Sequence, residues 1–461
     1  MSSASAVVLA AGKGTRMKSK RPKVLHPLCG QAMVKHVLKA VEQVVAAKEI
    51  YVVTGFGAEQ VEAELGDRYT YVRQEEQLGT GHAVMMAKEY LKERTGETLI
   101  LAGDTPLIGG ETLKNLLAMH LKAQAAVTIL TAVVDDPFGY GRIIRDKDGL
   151  VKKLVEQKDA DPDELQVKEI NAGIYCFDTK KLVAALGQIT NQNAQGEYYL
   201  TDCIEVLRQQ GEAVAAYTVS DVDEVMGVND RVALAQAERL MRRRINEFHM
   251  RNGVTLIDPL QTYIDPDVQI GQDTIIYPGT ILTGRTVIGD DCQIGPFTRL
   301  VDTEVGSGAH VIQSEGRQAV IGAKTTVGPY AYLRPGAVIG DNCRIGHFVE
   351  IKNSRIGDES KIPHLSYVGD ADIGRQVNWG CGSITVNYDG KQKHRTIVAD
   401  HSFIGCNVNL VAPVTVGQNA YIAAGSTITC PVPANSLAIA RQRETIKEDY
   451  VLKRWKKENK E

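Results

Sequence analysis

A glycine-rich segment near the start of the chain has the composition of a phosphate-binding loop. It reads Leu9-Ala-Ala-Gly-Lys-Gly-Thr-Arg-Met17 and follows a short apolar run. Backbone N–H groups of such a loop can approach a phosphate, and Lys13 and Arg16 add positive charge. The spacing matches neither a Walker A loop nor a dinucleotide-binding glycine motif, and a plain tight turn would also explain the glycines. The segment alone leaves both interpretations open.

The C-terminal half contains His364, Arg334 and Lys352, whose side chains could carry a second kind of chemistry. Histidine accepts a proton near neutral pH, so His364 is a candidate general base. Arg334 and Lys352 are candidate partners for a phosphate group. Because a lone histidine is more often a hydrogen-bonded structural residue, its type alone does not decide between the two roles.

Residues 1–229 must position the first segment, and their pattern is typical of an α/β domain with a mostly parallel sheet. Strands are predicted over residues 6–10, 49–54, 98–102, 126–133 and 170–177, with a helix over 34–47. Ligands of such sheets bind beyond the carboxyl ends of the strands. Asp104 follows the third of these strands and is a candidate ligand of a hard cation, although an aspartate before Thr105-Pro106 could also cap a helix.

Residues 230–252 read as one amphipathic helix that links two domains. Its apolar stripe comprises Leu234, Ala237, Met241, Ile245 and Phe248. The length would be roughly 30 Å, enough to hold two domains apart.

Residues 253–442 carry a six-residue period that predicts a left-handed parallel β-helix. An aliphatic side chain recurs at each sixth position: Ile270, Ile276, Leu282, Ile288, Ile294; Ile321, Val327, Leu333, Ile339, Ile345, Ile351; Ile404, Leu410, Val416, Ile422 and Ile428. An ordinary β-sandwich would show turns at irregular spacing. The period breaks over 307–320 and 385–396, and both breaks are expected to be loops expelled from the stack.

The last segment and the overall composition complete the prediction. Residues 443–461 are expected to be a helical tail whose basic face approaches cofactor phosphates or packs on a neighbouring subunit. The net charge of −3 argues against binding to nucleic acid or to an anionic membrane. We find neither a signal peptide nor a long apolar run, and we expect a cytoplasmic protein whose eight cysteines are reduced, buried small hydrophobes.

The N-terminal half resembles the nucleoside-diphosphate-sugar pyrophosphorylases. The resemblance lies in the glycine-rich segment, in Pro22-Lys23 and in Gly103-Asp104. It implies that Leu9, Ala10, Ala11 and Gly12 bind the nucleotide, that Lys23 contacts phosphate and that Asp104 binds Mg²⁺. Without the resemblance, Lys23 could equally be a solvated surface residue.

Further motifs narrow the resemblance to bifunctional enzymes that join a uridylyltransferase to an acetyltransferase, and it spans essentially the whole chain. The motifs are Gln74, Leu78-Gly-Thr-Gly-His82, Gly139-Tyr-Gly-Arg142, Glu156, Glu169-Ile-Asn-Ala-Gly173 and Gly227-Val-Asn229. The resemblance implies that UTP is a co-substrate and that Gln74, Gly79 and Thr80 read uracil. It also implies that Gly141, Glu156 and Asn171 hold the N-acetylglucosamine phosphate, while Asn229 contacts the nucleotide and shares the metal with Asp104.

The same family accounts for the polar residues of the repeat region. It implies that His364 is the catalytic base and that Arg334, Lys352, Tyr367 and Asn378 bind glucosamine 1-phosphate. A backbone N–H near Gly380-Cys381 is a candidate oxyanion donor. Acetyl-CoA, the second co-substrate, is implied to contact Cys381, Asn387, Tyr388, Cys406, Ala424 and Arg441. Cys381 and Cys406 stand where smaller residues are common in the family.

Two alternatives remain for the repeat region. It could be a non-catalytic trimerisation stalk, which would need only the aliphatic period. It could also be a zinc enzyme of the γ-class carbonic anhydrase type, but the spacing of His347, His364, His394 and His401 does not predict converging ligands. The resemblance favours acetyl transfer, within a homotrimer that has acetyl-transfer sites between subunits.

Overall fold

A computed structural model describes residues 4–193 and 195–458 of the chain. The chain divides into two compact units, Met1–Arg244 and Ile245–Glu461. The division falls within the helix that the sequence predicts over 230–252.

The first unit is built on a nine-stranded mixed sheet. Seven strands form its main path, in the order Val214–Thr218, Val127–Val133, Glu169–Asp178, Glu97–Ala102, Ser5–Ala10, Ile50–Thr54 and Thr70–Arg73. Only Glu169–Asp178 runs antiparallel to its neighbours on that path. A hairpin of Arg142–Arg145 and Val151–Val155 extends from it, and Pro27–Leu28 pairs separately with Gln31–Ala32. The α/β fold predicted for this half is confirmed.

Helices cover the sheet because their apolar faces and the β-branched strands bury one another. The α-helices are Met33–Val41, Ala58–Leu65, Thr80–Met86, Lys88–Leu91, Gly110–Ala123, Thr179–Leu186, Thr201–Gln209 and Arg231–Arg251, and the 3₁₀ turns are Thr15–Met17, Lys23–Leu25, Ala47–Glu49, Glu164–Gln166 and Val222–Val225. Two buried clusters, one on each face, hold the sheet. The strands at Thr70–Arg73, Arg142–Arg145, Val151–Val155 and Val214–Thr218 have weaker apolar patterns and are absent from the predicted set.

The helix Arg231–Arg251 contributes side chains to the core of each unit. Ala237 is buried in a cluster with Leu28 and Met33 of the first unit. Ile245 packs against the core of the second unit, and Asn246 Nδ2 donates to the carbonyl of Pro259 at 2.8 Å. Phe248, expected on the apolar stripe, is exposed instead.

The second unit is a left-handed parallel β-helix, as predicted. Two of its three faces join in a 19-stranded sheet comprising Thr255–Leu256, Tyr263–Ile264, Ile275–Ile276, Ile281–Thr283, Gln293–Ile294, Arg299–Val301, His310–Val311, Glu315–Arg317, Thr326–Val327, Tyr332–Leu333, Arg344–Lys352, Lys361–Gly369, Asn378–Trp379, Ile384–Val386, Phe403–Ile404, Asn409–Val411, Tyr421–Ile422, Thr427–Ile428 and Leu437–Ala438. The third face comprises Gln269–Ile270, Val287–Ile288, Glu304–Val305, Val320–Ile321, Val338–Ile339, Arg355–Ile356, Ala371–Ile373, Thr396–Val398 and Val414–Val416.

The six-residue period places its aliphatic side chains inside the prism. All sixteen predicted core positions are buried except Ile270, which is half-buried and still packs against the core. Burying each such side chain contributes about 2 to 3 kcal/mol, which explains why the pattern dominates the sequence.

The two breaks in the period differ in kind. Over 307–320 no loop forms. Arg299 pairs with Glu315 and Glu304 pairs with Val320, so each of these coils has 16 residues. An ordinary coil has 18, as between Tyr263 and Ile281. The break there is a shortened coil, so the predicted expelled loop is wrong. At the second break Ala371 pairs with Thr396, 25 positions along, and the additional residues form a hairpin with a bridge between Tyr388 and Lys393.

Among residues 443–458 of the C-terminal tail, the helix comprises Tyr450–Glu458, so it begins later than predicted. Its large apolar side chains, among them Ile446, Tyr450 and Trp455, are exposed. Within residues 4–193 and 195–458, no helix combines the length and the apolar composition needed to cross a membrane.

Candidate functional sites

A cavity of about 280 Å³ lies at the carboxyl ends of two neighbouring parallel strands, Ser5–Ala10 and Glu97–Ala102. It is lined by Leu9, Ala11, Gly12, Lys23, Val24, Gln74, Gln77, Gly79, Thr80, Ala83, Ala102, Asp104 and Glu197. Eight of these residues belong to the set implied by the resemblance. Of the same set, Ala10 is buried at the end of its strand.

The glycine-rich segment closes tightly over Lys23. Gly14 has a left-handed φ of 59°, and a Cβ there would lie 2.5 Å from Cβ of Lys23. Only glycine fits this position without displacing the lysine. The segment therefore packs directly against the base of the Lys23 side chain.

Two oxygen ligands converge on the ammonium of Lys23. Lys23 forms an ion pair with Asp104, and Asn229 Oδ1 accepts from the same nitrogen at 3.0 Å. Arg16 Nη2 also donates to Asn229 Oδ1, at 3.0 Å. A carboxylate oxygen and an amide oxygen thus meet around one cation, a donor set that suits Mg²⁺.

Gln74 is buried at the side of the cavity with its amide held from two directions. Its Nε2 donates to the carbonyl of Gly79 at 3.2 Å and lies 3.0 Å from Nδ1 of His82. Among the described residues none donates to Oε1 of Gln74. The amide therefore offers an acceptor to a ligand.

The three residues expected to hold the sugar phosphate form a second cluster in this unit. Asn171 lies beside an irregularity in its strand, where its N–H donates to the carbonyl of Gly141 at 2.9 Å. Gly141 also leaves space beside Glu156, since a Cβ there would lie 3.4 Å from the Glu156 carboxylate. Glu156 lines a cavity of about 540 Å³. Burial raises the pKa of Glu156, and Asp159 and Asp202 raise it further.

Two strands of the β-helix, Arg344–Lys352 and Lys361–Gly369, carry the second site. They pair in parallel with His347 opposite His364 and Glu350 opposite Tyr367. Nε2 of His347 lies 3.1 Å from Nδ1 of His364. The spacing along the sequence did not predict this contact, which arises because 17 residues make one coil here. No third histidine, cysteine or carboxylate joins them in a metal-binding group within the described ranges.

The basic residues expected at this site are held by carboxylates. Arg334 Nη1 donates to Glu350 at 2.7 Å, and Lys352 Nζ to the buried Asp370 at 3.4 Å. Burial alone would raise the pKa of Asp370, but hydrogen bonds from Asn353 and Asn387 and the charge of Lys352 lower it. The sequence gives little sign of Asp370, which follows a strand and carries no motif.

Two other members of the set are placed differently. Asn387 Nδ2 donates to Asp370 at 2.6 Å and to the Tyr367 hydroxyl at 3.4 Å, so it lies with the expected sugar-phosphate residues. Asn378 lies one coil beyond the strand Lys361–Gly369, where it pairs with Lys361.

Four of the six residues expected to contact acetyl-CoA follow one edge of the β-helix, coil after coil from His364: Cys381, Cys406, Ala424 and Arg441. Hydrogen bonds to backbone carbonyls connect each coil to the next along this edge. The N–H of Gly382 donates to the carbonyl of Leu365 at 3.0 Å, and the N–H of Asn407 to that of Cys381 at 2.8 Å. The N–H of Gly425 donates to the carbonyl of Cys406 at 2.8 Å, and Arg441 Nη1 to that of Ala424 at 3.1 Å. Cys381 and Cys406 are exposed on this edge, as is Cys430 elsewhere in the unit. The expectation that all eight cysteines are buried is therefore wrong for these three.

The hairpin inserted at the second break reaches the same site. Tyr388 is exposed at its start, and Asp389 accepts from the N–H groups of Lys391 and Gln392 at 2.8 Å, which fixes the turn. The neighbouring Lys352 lowers the pKa of Lys393. Cations from the hairpin and the coil thus lie together.

Each unit matches a different protein family. Residues 5–223 match the nucleotidyl transferase family. Residues 267–302, 318–353 and 395–430 match the bacterial transferase hexapeptide family.

Curated relatives match nearly the whole chain. "Bifunctional protein GlmU" of Geobacillus sp. (strain WCH70) is 58% identical over 97% of both chains, and that of Brevibacillus brevis is 55% identical over 100% of both. That of Caldanaerobacter subterraneus subsp. tengcongensis is 57% identical over 98% of both. Among solved structures, a putative glucose-1-phosphate thymidylyltransferase from Bacillus anthracis is 18% identical, covering 51% of this chain and 94% of its own, with a TM-score of 0.41.

Proposed function

The chain belongs to the family of the bifunctional protein GlmU, and on that basis we propose how the residues of its two units divide the synthesis of UDP-N-acetylglucosamine. It is a bifunctional transferase. Its C-terminal unit moves an acetyl group from acetyl-CoA to glucosamine 1-phosphate. Its N-terminal unit then moves the uridylyl group of UTP to N-acetylglucosamine 1-phosphate and releases pyrophosphate. The observation that carries the assignment of residues is that polar side chains converge twice, once in each unit.

In the first unit, we propose that the nucleotide occupies the smaller cavity. Leu9, Ala10, Ala11, Gly12 and Lys23 would border its phosphates, with Gly79 and Thr80 beside the base. The Oε1 of Gln74 suits the N–H donor that uracil carries in its ring. Cytosine presents an acceptor at that position, so the same amide would disfavour CTP.

The oxygen ligands of this cavity fit Mg²⁺. Asp104 and Asn229 already converge on one cation, the Lys23 ammonium, and we propose that they hold the metal. When bound, Mg²⁺ would supply charge neutralisation for the transferring phosphates. Lys23, released from Asp104, would then be available to the phosphates.

The sugar phosphate needs orientation more than activation. Its second pKa is about 6, so near neutral pH it is already a nucleophile and no general base is required. Gly141, Glu156 and Asn171 are proposed to orient it. Their cluster suits a sugar because the half-buried carboxyl group of Glu156 lines a cavity beside the backbone of Gly141.

In the second unit, the amine of glucosamine 1-phosphate must lose a proton before it attacks the thioester. We propose that His364 accepts this proton and that Arg334, Lys352, Tyr367 and Asn378 bind the sugar phosphate. The N–H of Gly380 already donates to Ile404 at 2.8 Å, whereas that of Cys381 has no acceptor among the described residues. Of the two, Cys381 is therefore the better oxyanion donor.

Acetyl-CoA is proposed to lie along the edge formed by Cys381, Cys406, Ala424 and Arg441, with Tyr388 on the hairpin beside it. Asn387 would join the sugar end of the site through Asp370. A stalk without catalysis would not need this alignment of polar groups with His364.

We propose a homotrimer that works in the cytoplasm. Phe297, Tyr330, Phe348 and Leu365 expose apolar side chains on the β-helix, and Tyr330 stacks on Phe348 with ring centroids 5.5 Å apart. Such a surface favours burial against another copy. The eight cysteines form no disulfide within the part of the chain that the structure describes, which suits a reducing compartment. Sedimentation at several protein concentrations would test the trimer.

Separate assays of the two reactions test the division of labour. His364→Ala is expected to abolish acetyl transfer and to leave uridylyl transfer at its normal rate, because the two sites lie in different units. Normal acetyl transfer by this variant would disprove the base assignment.

A further inference from the structure

The histidine pair of the β-helix contains a residue to which the proposed chemistry gives no role. His347 and His364 face each other across neighbouring coils, with ring centroids 4.5 Å apart and planes inclined by 61°. His347 is itself held edge-on against Phe348, with centroids 5.8 Å apart and an interplanar angle of 84°. Phe348 in turn stacks on Tyr330. The imidazole of His347 is therefore oriented by its surroundings.

The contact decides which nitrogen of His364 can act. Since Nδ1 of His364 points at His347, Nε2 is the nitrogen left to face a substrate. A neutral imidazole carries one proton, so Nε2 has a free lone pair only when Nδ1 holds that proton. In that state the Nδ1–H of His364 donates to Nε2 of His347. In the reverse state His347 would donate to Nδ1, and His364 would carry its proton on Nε2, where it could accept none.

We infer that His347 is a positioning residue that keeps His364 in its basic form by accepting a hydrogen bond from Nδ1. This inference rests on the proposed role of His364 as the base. When Nε2 takes the proton of the substrate ammonium, His364 becomes an imidazolium, and its Nδ1–H then donates as a charged group to His347. Hydrogen bonds from charged donors are stronger than those from neutral ones, so the contact stabilises the state formed during the reaction.

Two substitutions of the full-length protein separate this role from simple packing. His347→Leu fills similar space but accepts no hydrogen bond, whereas the side-chain oxygen of His347→Gln can accept one near the position of Nε2. We expect the leucine variant to lose about tenfold in kcat for acetyl transfer, the factor that one hydrogen bond commonly supplies. KM for glucosamine 1-phosphate and acetyl-CoA should stay within about twofold. The glutamine variant should recover most of the rate.

A matched control uses another histidine of the same β-helix. His310 lies two coils away, since its register partner Thr326 pairs in turn with Arg344. His310→Leu should leave acetyl transfer normal, and uridylyl transfer should be normal in all three variants. Trp379 is buried in the β-helix, so tryptophan fluorescence reports whether the β-helix of each variant is folded.

The results also distinguish this inference from the base assignment. A normal kcat in His347→Leu, or equal losses in His347→Leu and His347→Gln, would overturn the positioning role. Acetyl transfer that survives His364→Ala would instead overturn the proposed base. If His347→Ala abolished acetyl transfer while His364→Ala did not, His347 would be the base. That result would refute both the positioning role of His347 and the base role of His364.

Discussion

The ammonium of Lys23 forms an ion pair with Asp104, and Asn229 accepts a hydrogen bond from the same nitrogen at 3.0 Å. A protein cation thus satisfies the two oxygen ligands that we assign to Mg²⁺. Metal binding must displace this ammonium, and the displaced group lines the cavity that we assign to the nucleotide. Binding of metal and of nucleotide should therefore be coupled.

Asp104→Asn tests this coupling. The amide keeps the size of the side chain and removes its charge, so both the metal and Lys23 lose their anionic partner. We expect uridylyl transfer to fall by roughly a hundredfold or more, with a higher Mg²⁺ concentration needed for half-maximal rate. Pyrophosphate release measured over a Mg²⁺ series gives both quantities. Acetyl transfer by the same protein is the control, and an unaltered Mg²⁺ dependence would contradict the assignment.

Gln74→Leu tests base recognition. Leucine approximates the volume of glutamine and removes the acceptor that we assign to the uracil N–H. We expect kcat/KM for UTP to fall about tenfold to a hundredfold, and the preference for UTP over CTP to narrow. Rates with the two nucleotides under identical conditions measure the change. Gln60→Leu, at an exposed position of the same unit, supplies the control. A preference that survives in Gln74→Leu would show that another group reads the base.

Glu156→Gln tests the raised pKa by its effect on stability. Because the folded protein holds this proton more tightly than the unfolded chain does, the free energy of unfolding should decrease as pH rises above the ordinary pKa of 4.5. The variant should lack this decrease and be more stable at neutral pH by about 1 kcal/mol, a usual size for one site.

Urea denaturation followed by circular dichroism at several pH values measures this effect, since most helices lie in the first unit. Glu93→Gln, an exposed glutamate of the same unit, is the matched control. Equal pH dependence of unfolding in wild type and Glu156→Gln would rule out the carboxyl group of Glu156 as its source.

Deletion of residues 388–394 tests whether the hairpin belongs to the scaffold or to the site. Removing seven residues shortens the coil between Ala371 and Thr396 to the 18 positions found elsewhere. The β-helix should therefore still fold and bury Trp379. Acetyl transfer should fall by about a hundredfold or more, because Tyr388 and Lys393 no longer border the site. Unchanged acetyl transfer would place both residues outside it.

The sequence predicted the elements that depend on periodic burial. Ile345 and its equivalents mark each coil, and the apolar run at Ser5–Ala10 marks the first strand, because burial in the core requires apolar side chains at these positions. The family resemblance pointed to Lys23, Asp104 and His364, whose neighbours the structure then supplies.

Contacts that depend on coil length were not accessible from the same pattern. His347 and His364 meet because one coil has 17 residues and not 18, and the shortened coils between Arg299 and Val320 arise in the same way. Likewise, Asp370 carries no motif and becomes part of the site only through its contacts with Lys352 and Asn387. Exposure of Cys381 and Cys406 depends on their position at a corner, which a six-residue period does not specify.

One edge of the β-helix also fixes a length. It runs from His364 through Cys381, Cys406 and Ala424 to Arg441. Neighbouring strands lie about 4.8 Å apart, so four steps from coil to coil span about 19 Å. That length is set by the count of coils and not by any side chain. A ligand that reaches both ends must be extended over that distance, and adding or removing one whole coil would change the required length in a single increment of about 4.8 Å.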